Sequence, residues 1–268
     1  MNVAPKEIVR LVCARVFALA LHFRSRPFSL PPGPILIVAP HPDDETLGCG
    51  GLIAHAAHAG VAVHTIFLTD GEASHDGHPL LKPVDLASLR KAEALAALAA
   101  LGVDAPERTT RFLGAPDGRL DQLAPGERDR IGADMTALIR ELRPAFVLAP
   151  YRAGGSTEHA AACDLVRAAC AAAGGATLLE YPIWAWWNPF RLRPRLDAGA
   201  DNLRLALDAA TLARKRRALA CHRSQVEPTP PWPKAVLPAA IGRACLTRRE
   251  FFFRHEVLAG PSLSSSQN

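Results

Sequence analysis

The sequence predicts a single three-layer α/β domain of the Rossmann-like kind, built on a mostly parallel central sheet. Short apolar, β-rich runs alternate with longer Ala/Leu-rich stretches, the pattern of strands covered on both faces by helices. At 268 residues, with 49% hydrophobic and 21% charged residues, the chain can bury one full core. No internal repeat interrupts that reading.

Taken in order, residues 1–30 form an N-terminal segment of their own. Its apolar run from Ile8 to Phe23 contains Arg10 and Arg15, which makes it too short and too charged to span a bilayer. Arg15 also sets it apart from a secretory signal, so it predicts an amphipathic helix packed on the body or resting on a membrane surface. Strands are expected over 34–39, 61–69, 145–150 and 176–183, with weaker ones at 110–113 and 251–258. Helices are expected over 46–59, 86–101, 126–142, 158–173 and 209–222. Pro125 and Asp208 suit helix starts, whereas Gly60, Gly102 and Gly174 stand where helices stop. Residues 184–202 and 224–248, rich in Pro, Arg and Trp, read as irregular excursions able to wall a pocket. The Ser-rich stretch 260–268 reads as a disordered tail.

The charge balance narrows the partners. The chain carries a net charge of +5, yet residues 189–223 alone hold nine Lys/Arg against three Asp. The basic surplus is therefore a patch, either a solvated face or a contact for an anionic ligand or a lipid surface. With 6% aromatic residues and no recognition motif, a nucleic-acid partner is not expected. Six cysteines without CxxC spacing read as reduced, buried apolar residues. That usage fits a cytoplasmic protein, with peripheral contact to the inner face of the membrane as the one extension.

In a doubly wound sheet, ligands bind beyond the carboxyl ends of the strands. The polar clusters fall there: His41 to Glu45 follow the first strand of the domain, Asp70 to His78 the second, Asp117 the weak strand at 110, and Ser156 to His159 the strand at 145. His41 and Asp44, three apart at a strand-to-helix turn, can offer a nitrogen and an oxygen to one ion, and His159 is the best placed third ligand. A His2Asp set with an open position is a catalytic type of zinc site. Zinc lowers the pKa of a water molecule it binds from about 15.7 to about 7, and Asp43 is placed to take the proton. A polar turn capping the next helix would account for the acids but not for His41. Gly48, Gly50 and Gly51 fail the dinucleotide fingerprint on spacing and suit close packing of a helix on the sheet. His75 and His78 read as part of a flexible polar loop at the rim.

The run Ala39-Pro40-His41-Pro42-Asp43-Asp44-Glu45 resembles the AHPDDE signature of the PIG-L/LmbE-like family of zinc-dependent N-acetylglucosaminyl deacetylases. Further segments stand in the family's order: LTDGE at 68–72, Arg90 with Glu93, FLGAPDG at 112–118, and Lys215, Leu219 and HRSQ at 222–225. The resemblance covers roughly residues 34–258 and marks 31–259 as the deacetylase domain. It implies His41, Asp44 and His159 as zinc ligands, Asp43 as general base, and Arg90 and Asp117 on sugar hydroxyls. Where the family has HPDH this chain has Ser156-Thr157-Glu158-His159. Serine thus replaces the histidine credited with stabilising the oxyanion and protonating the leaving amine. Ser156 is expected to touch substrate, and His222 to supply part of the missing proton donation. The expected reaction removes acetate from an N-acetylated amino-sugar conjugate, with phosphate or lipid as optional parts of that conjugate and the sugar against Trp184, Trp186 or Trp187. A zinc amidase or esterase on a non-sugar acyl compound is the alternative, as is a non-catalytic sugar or lipid-head-group binder. The sequence does not fix the oligomeric state.

Overall fold

The computed structural model describes residues 5–257, in the order α1 (Pro5–Phe23), β1 (Arg26–Pro27), β2 (Ile35–Ala39), α2 (Asp44–His58), β3 (Val63–Thr69), α3 (Pro83–Leu101), α4 (Pro106–Thr109) and β4 (Thr110–Ala115). There follow α5 (Pro125–Leu142), β5 (Phe146–Pro150), α6 (Thr157–Ala172), β6 (Ala176–Tyr181), α7 (Arg193–Ala198), β7 (Asn202–Ala206), α8 (Ala209–Cys221), α9 (Arg223–Val226), α10 (Ala239–Cys245) and β8 (Arg249–Val257). The eight strands form one sheet ordered β1-β7-β8-β6-β5-β2-β3-β4. Strands β2 to β6 run parallel, while β8 lies antiparallel to both β6 and β7.

Strand β2 shows why the sheet is covered on both sides. Its five residues are all buried, as expected for a central parallel strand. Because successive side chains point to opposite faces, Ile35, Ile37 and Ala39 enter the core layer shared with α2, α3 and α8. Leu36 and Val38 enter the layer shared with α5 and α6. The glycines of α2 set its distance from the sheet: a β-carbon on Gly48 would lie 2.2 Å from the Tyr181 ring, so only glycine lets the helix approach. A buried ion pair pins the same helix from behind, Lys215 Nζ to Glu250 Oε1 at 2.7 Å, with Glu250 also accepting from the Gly51 and Leu52 amides.

Every expected strand and long helix is present, with ends shifted by a few residues. The expectation of irregular structure over 184–202 and 224–248 needs correction, since these stretches also hold the short helices α7 and α10 and the first residue of β7. Expected tail residues 260–268 lie outside the described residues. All six cysteines are free, four of them buried. No described helix is long and apolar enough to cross a membrane.

The topology fixes where a site belongs. From β2 the chain moves outward to β3 and β4, then returns to β5 on the other side of β2 and continues to β6. The carboxyl ends of β2 and β5 therefore flank the point where strand order reverses, which opens a crevice. His41 to Asp44 follow β2 and Ser156 to His159 follow β5.

Candidate active site

A cavity of about 460 Å³ lies at that reversal point. Its polar side carries His41, Asp43, Asp44, Arg90, Asp117 and Glu158, and facing them are Ile183, Trp184 and the apolar run Val236 to Pro238.

Asp44 Oδ2 is the meeting point of the polar side. It lies 3.1 Å from His41 Nδ1 and 3.3 Å from His159 Nε2, and it accepts the His41 amide at 3.1 Å. The other His41 nitrogen, Nε2, faces two carboxylates, Glu158 Oε2 at 2.9 Å and Asp117 Oδ1 at 3.2 Å. Ionised carboxylates only accept, so Nε2 carries the ring proton. In the neutral imidazole that leaves the Nδ1 lone pair aimed at the Asp44 oxygen, an arrangement that requires a cation or a proton between them. Burial disfavours the His41 imidazolium, yet its hydrogen bonds to Asp117, Asp44 and Glu158 raise its pKa well above the ordinary value. Burial likewise pushes the Asp44 carboxyl up, but His159 and His41 beside it hold it well below the usual carboxylate range.

These donors fit a metal ion. His159 Nε2 is buried without a hydrogen-bond partner. One ligand atom each from His41, Asp44 and His159 lies within 4.8 Å of the others. Two nitrogens and a carboxylate oxygen match zinc chemistry with a coordination position left over, and a carboxylate on the far nitrogen of His41 is the usual support for a metal-bound imidazole.

Asp43 occupies the turn before α2 with φ at 140°, a strained conformation for any residue but glycine. Its amide donates to Glu45 Oε2 at 3.0 Å, and its carbonyl accepts from the Leu47 amide at 2.9 Å. The carboxyl lines the cavity, 3.5 Å from the Arg90 guanidinium. Burial, assisted by the Asp44 charge, pushes it up to about 6 against the pull of Arg90, His222 and His41.

The sequence-predicted substrate contacts all reach the cavity wall, and most of their polar atoms are already engaged, Arg90 Nε being buried without a partner. Arg90 donates to the Pro42 carbonyl at 2.6 Å and the Gly71 carbonyl at 3.0 Å. Asp117 accepts from the Ala73 amide at 2.8 Å besides facing His41. Ser156 caps α6, its hydroxyl accepting the His159 amide at 3.3 Å, so the residue in the family's histidine position fixes the helix turn that presents Glu158 and His159.

His222, expected to supply part of the proton donation, lies behind the turn and not on the cavity wall. It is fully buried, does not line the cavity, and turns Nε2 to Glu45 Oε1 at 3.1 Å behind the turn. Burial disfavours its charged form, yet the Glu45 carboxylate raises its pKa. The loop holding His75 and His78 is not loose either. Both rings are buried against Trp232, His75 stacked on it, and both bond to Thr229. Of the three tryptophans, Trp184 alone lines the cavity; Trp186 packs near Phe251, and Trp187 lies beneath Arg10. Glu158 is the site residue that sequence reasoning missed, although an acid in the first turn of α6 beside a ligand histidine was a signal for it.

Fold and site together define an α/β protein with an open His2Asp donor set at the switch point of its sheet. The chain belongs to the PIG-L family, described as GlcNAc-PI de-N-acetylase, whose profile matches residues 36–170. It is 38% identical over 144 residues to a 1D-myo-inositol 2-acetamido-2-deoxy-alpha-D-glucopyranoside deacetylase of Mycobacterium sp. (strain KMS), covering 47% of this chain and 45% of that protein. The chain spans about half the length of the curated relatives it matches first. Among solved structures, a conserved protein of Thermus thermophilus has 25% identity and a TM-score of 0.58, covering 88% of this chain and all of that one. GalB, the 4-carboxy-2-hydroxymuconate hydratase of Pseudomonas putida KT2440, has 17% identity and a TM-score of 0.59, covering 85% and 97%. The fold is thus shared with a protein named for a different reaction, and function has to be argued from the site.

Proposed function

We propose that this chain is a zinc-dependent hydrolase that removes the acetyl group from an N-acetylated amino-sugar conjugate, giving acetate and a free amine. The observation that carries this reading is the convergence of His41, Asp44 and His159 on one point of a cavity that Asp43 also faces. His41, Asp44 and His159 would hold the ion. Zinc bound there supplies a Lewis acid for the acetyl carbonyl and makes attacking water more acidic.

The chain's own groups do the remainder. Asp43, its carboxyl raised to about 6, takes the proton of the attacking water near neutral pH, the range in which a general base works best. Once protonated, the same carboxyl holds the proton that the departing amine needs. Trp184 offers an aromatic face to the sugar ring. Arg191, exposed and close over the cavity-lining Gly155, suits a phosphate on the conjugate.

The test is acetate release, followed by product mass, from N-acetylglucosaminyl conjugates and from non-sugar N-acetyl amides. We expect turnover of the sugar conjugates by zinc-loaded protein and its loss after chelation. Turnover confined to the non-sugar amides would make the chain an amidase of another substrate class, and binding without turnover would make it a sugar-binding relative.

A further inference from the structure

Helix α1 presents apolar residues on two opposite sides. Leu21 and Ala14 are buried, and Phe17 and Ala18 pack against the core from the same side. Turned the other way are Ile8, Val9, Val12, Val16, Leu19 and Phe23, each at least half exposed. At 3.6 residues per turn these six fall within an arc of about 100°, a continuous stripe along the helix. Among the described residues nothing covers it. Phe190, 65% exposed, lies beside the stripe, lining one surface cleft together with Val9.

Charge surrounds this apolar surface on its free sides. Residues 1–30 hold five Lys/Arg and one acid. Arg15 is exposed beside the stripe, Arg24 and Arg26 are exposed just past its end, and Arg191 and Arg193 are exposed next to Phe190. A second copy of the chain docking by the same face would bring a second, equally basic margin to the interface and add to the charge there instead of offsetting it. An anionic lipid surface instead neutralises them while burying the stripe. The helix is not one that could cross the bilayer, and the pairing of an apolar arc with a basic margin is the signature of a helix lying in the interface.

We propose that the exposed face of α1, with Phe190 and its flanking arginines, docks the protein on an anionic lipid bilayer. The segment that borders this face also borders the cavity. Trp184 lines the cavity wall, Trp187 lies under Arg10 of α1, and Arg191 sits over Gly155 at the rim. Docking therefore sets the mouth of the site beside the headgroup layer, where a membrane-borne conjugate would present itself.

Co-sedimentation of the whole chain with vesicles tests the proposal without any appeal to turnover. Binding is expected to vesicles of phosphatidylglycerol mixed with phosphatidylcholine, to be much weaker to phosphatidylcholine alone, and to weaken with salt. The double variant Val12→Gln/Val16→Gln keeps good helix formers at exposed positions and should lower binding about tenfold or more with an unchanged melting curve. Arg24→Glu/Arg26→Glu should weaken it by at least about fivefold per arginine. The proposal is overturned if the wild-type chain ignores anionic vesicles at low salt, or if both variants bind as it does. It is equally overturned if light scattering finds a dimer that the valine variant converts to monomer.

Discussion

Two polar networks meet at the first turn of α2, and they differ in whether they border the cavity. In front, facing the cavity, Asp44 is approached by two imidazole nitrogens at 3.1 and 3.3 Å, and the farther of these, His159 Nε2, is buried with no hydrogen-bond partner. Behind, Glu45 accepts from the Asp43 amide, the Thr46 hydroxyl and His222, while Glu93 accepts from both the amide and the hydroxyl of Ser224. Each network holds one buried nitrogen without a partner, His159 Nε2 in front and His222 Nδ1 behind, so what sets the front one apart is two imidazole nitrogens crowded onto one carboxylate oxygen beside the cavity, an arrangement that a cation would complete. Neighbours in sequence, Asp44 and Glu45, thus stand in different settings, one in the donor set proposed for a cation and the other holding a turn.

That contrast breaks first at the ligands. His159→Ala should lower bound zinc from about one per chain to almost none and take turnover below detection, as metal analysis and an acetate assay would record. His41→Ala and Asp44→Asn should behave alike. Zinc retained at the wild-type level in His159→Ala would mean that the front network is only another hydrogen-bonded cluster.

Asp43 comes next, because it faces the cavity while its backbone is held from the rear. Asp43→Asn should keep zinc and the fold but lower kcat by about 10²- to 10⁴-fold, the loss expected for a positioned general base. Loss of zinc from this variant would instead move Asp43 into the ligand set. Smaller again is the effect of Glu158, which supports His41 through Nε2. Glu158→Gln can still accept a hydrogen bond but loses the charge, and zinc affinity measured by competition with a chelator should fall about 10- to 100-fold.

The front network was legible in the sequence and the rear one was not, for a physical reason. His41, Asp43 and Asp44 lie within four residues, and the turn that presents them is announced by the strand before it and the helix after it. His159 followed from its place after another strand of the same sheet. In the rear network Glu45 meets His222 across 177 residues and Glu93 meets Ser224 across 131. No local pattern reports such contacts, so residue type alone suggests proton donation by His222, whereas the fold pairs it with Glu45. The strand next to β1, at one end of the sheet, was hidden in the same way. Strand β7 has five residues and is specified by antiparallel pairing with β8, which arrives 43 residues later at their closing pair, Ala206 with Arg249.

The smallest effect should come from His222, and it is the one that separates the two networks most cleanly. Its Nε2 serves Glu45 Oε1 at 3.1 Å and lies 3.3 Å from the Thr46 hydroxyl. Glu45 in turn holds the amide of the strained Asp43. Removing the imidazole leaves a buried carboxylate one donor short, a cost of about 1 to 3 kcal/mol. The Glu45 carboxylate, and Asp43 after it, raise the pKa of His222 above the ordinary 6.5 although burial opposes the charge. A group held more basic in the folded chain stabilises it fully below the unfolded pKa and loses that contribution as pH rises through the folded one. His222→Ala should therefore destabilise the protein more at about pH 6 than at about pH 9 in urea titrations. Zinc content should stay at the wild-type level, and kcat should change less than about tenfold, far below the loss in Asp43→Asn. A displaced basic limb in the pH profile of kcat, with zinc and melting behaviour intact, would return His222 to the chemistry and erase the distinction between front and rear.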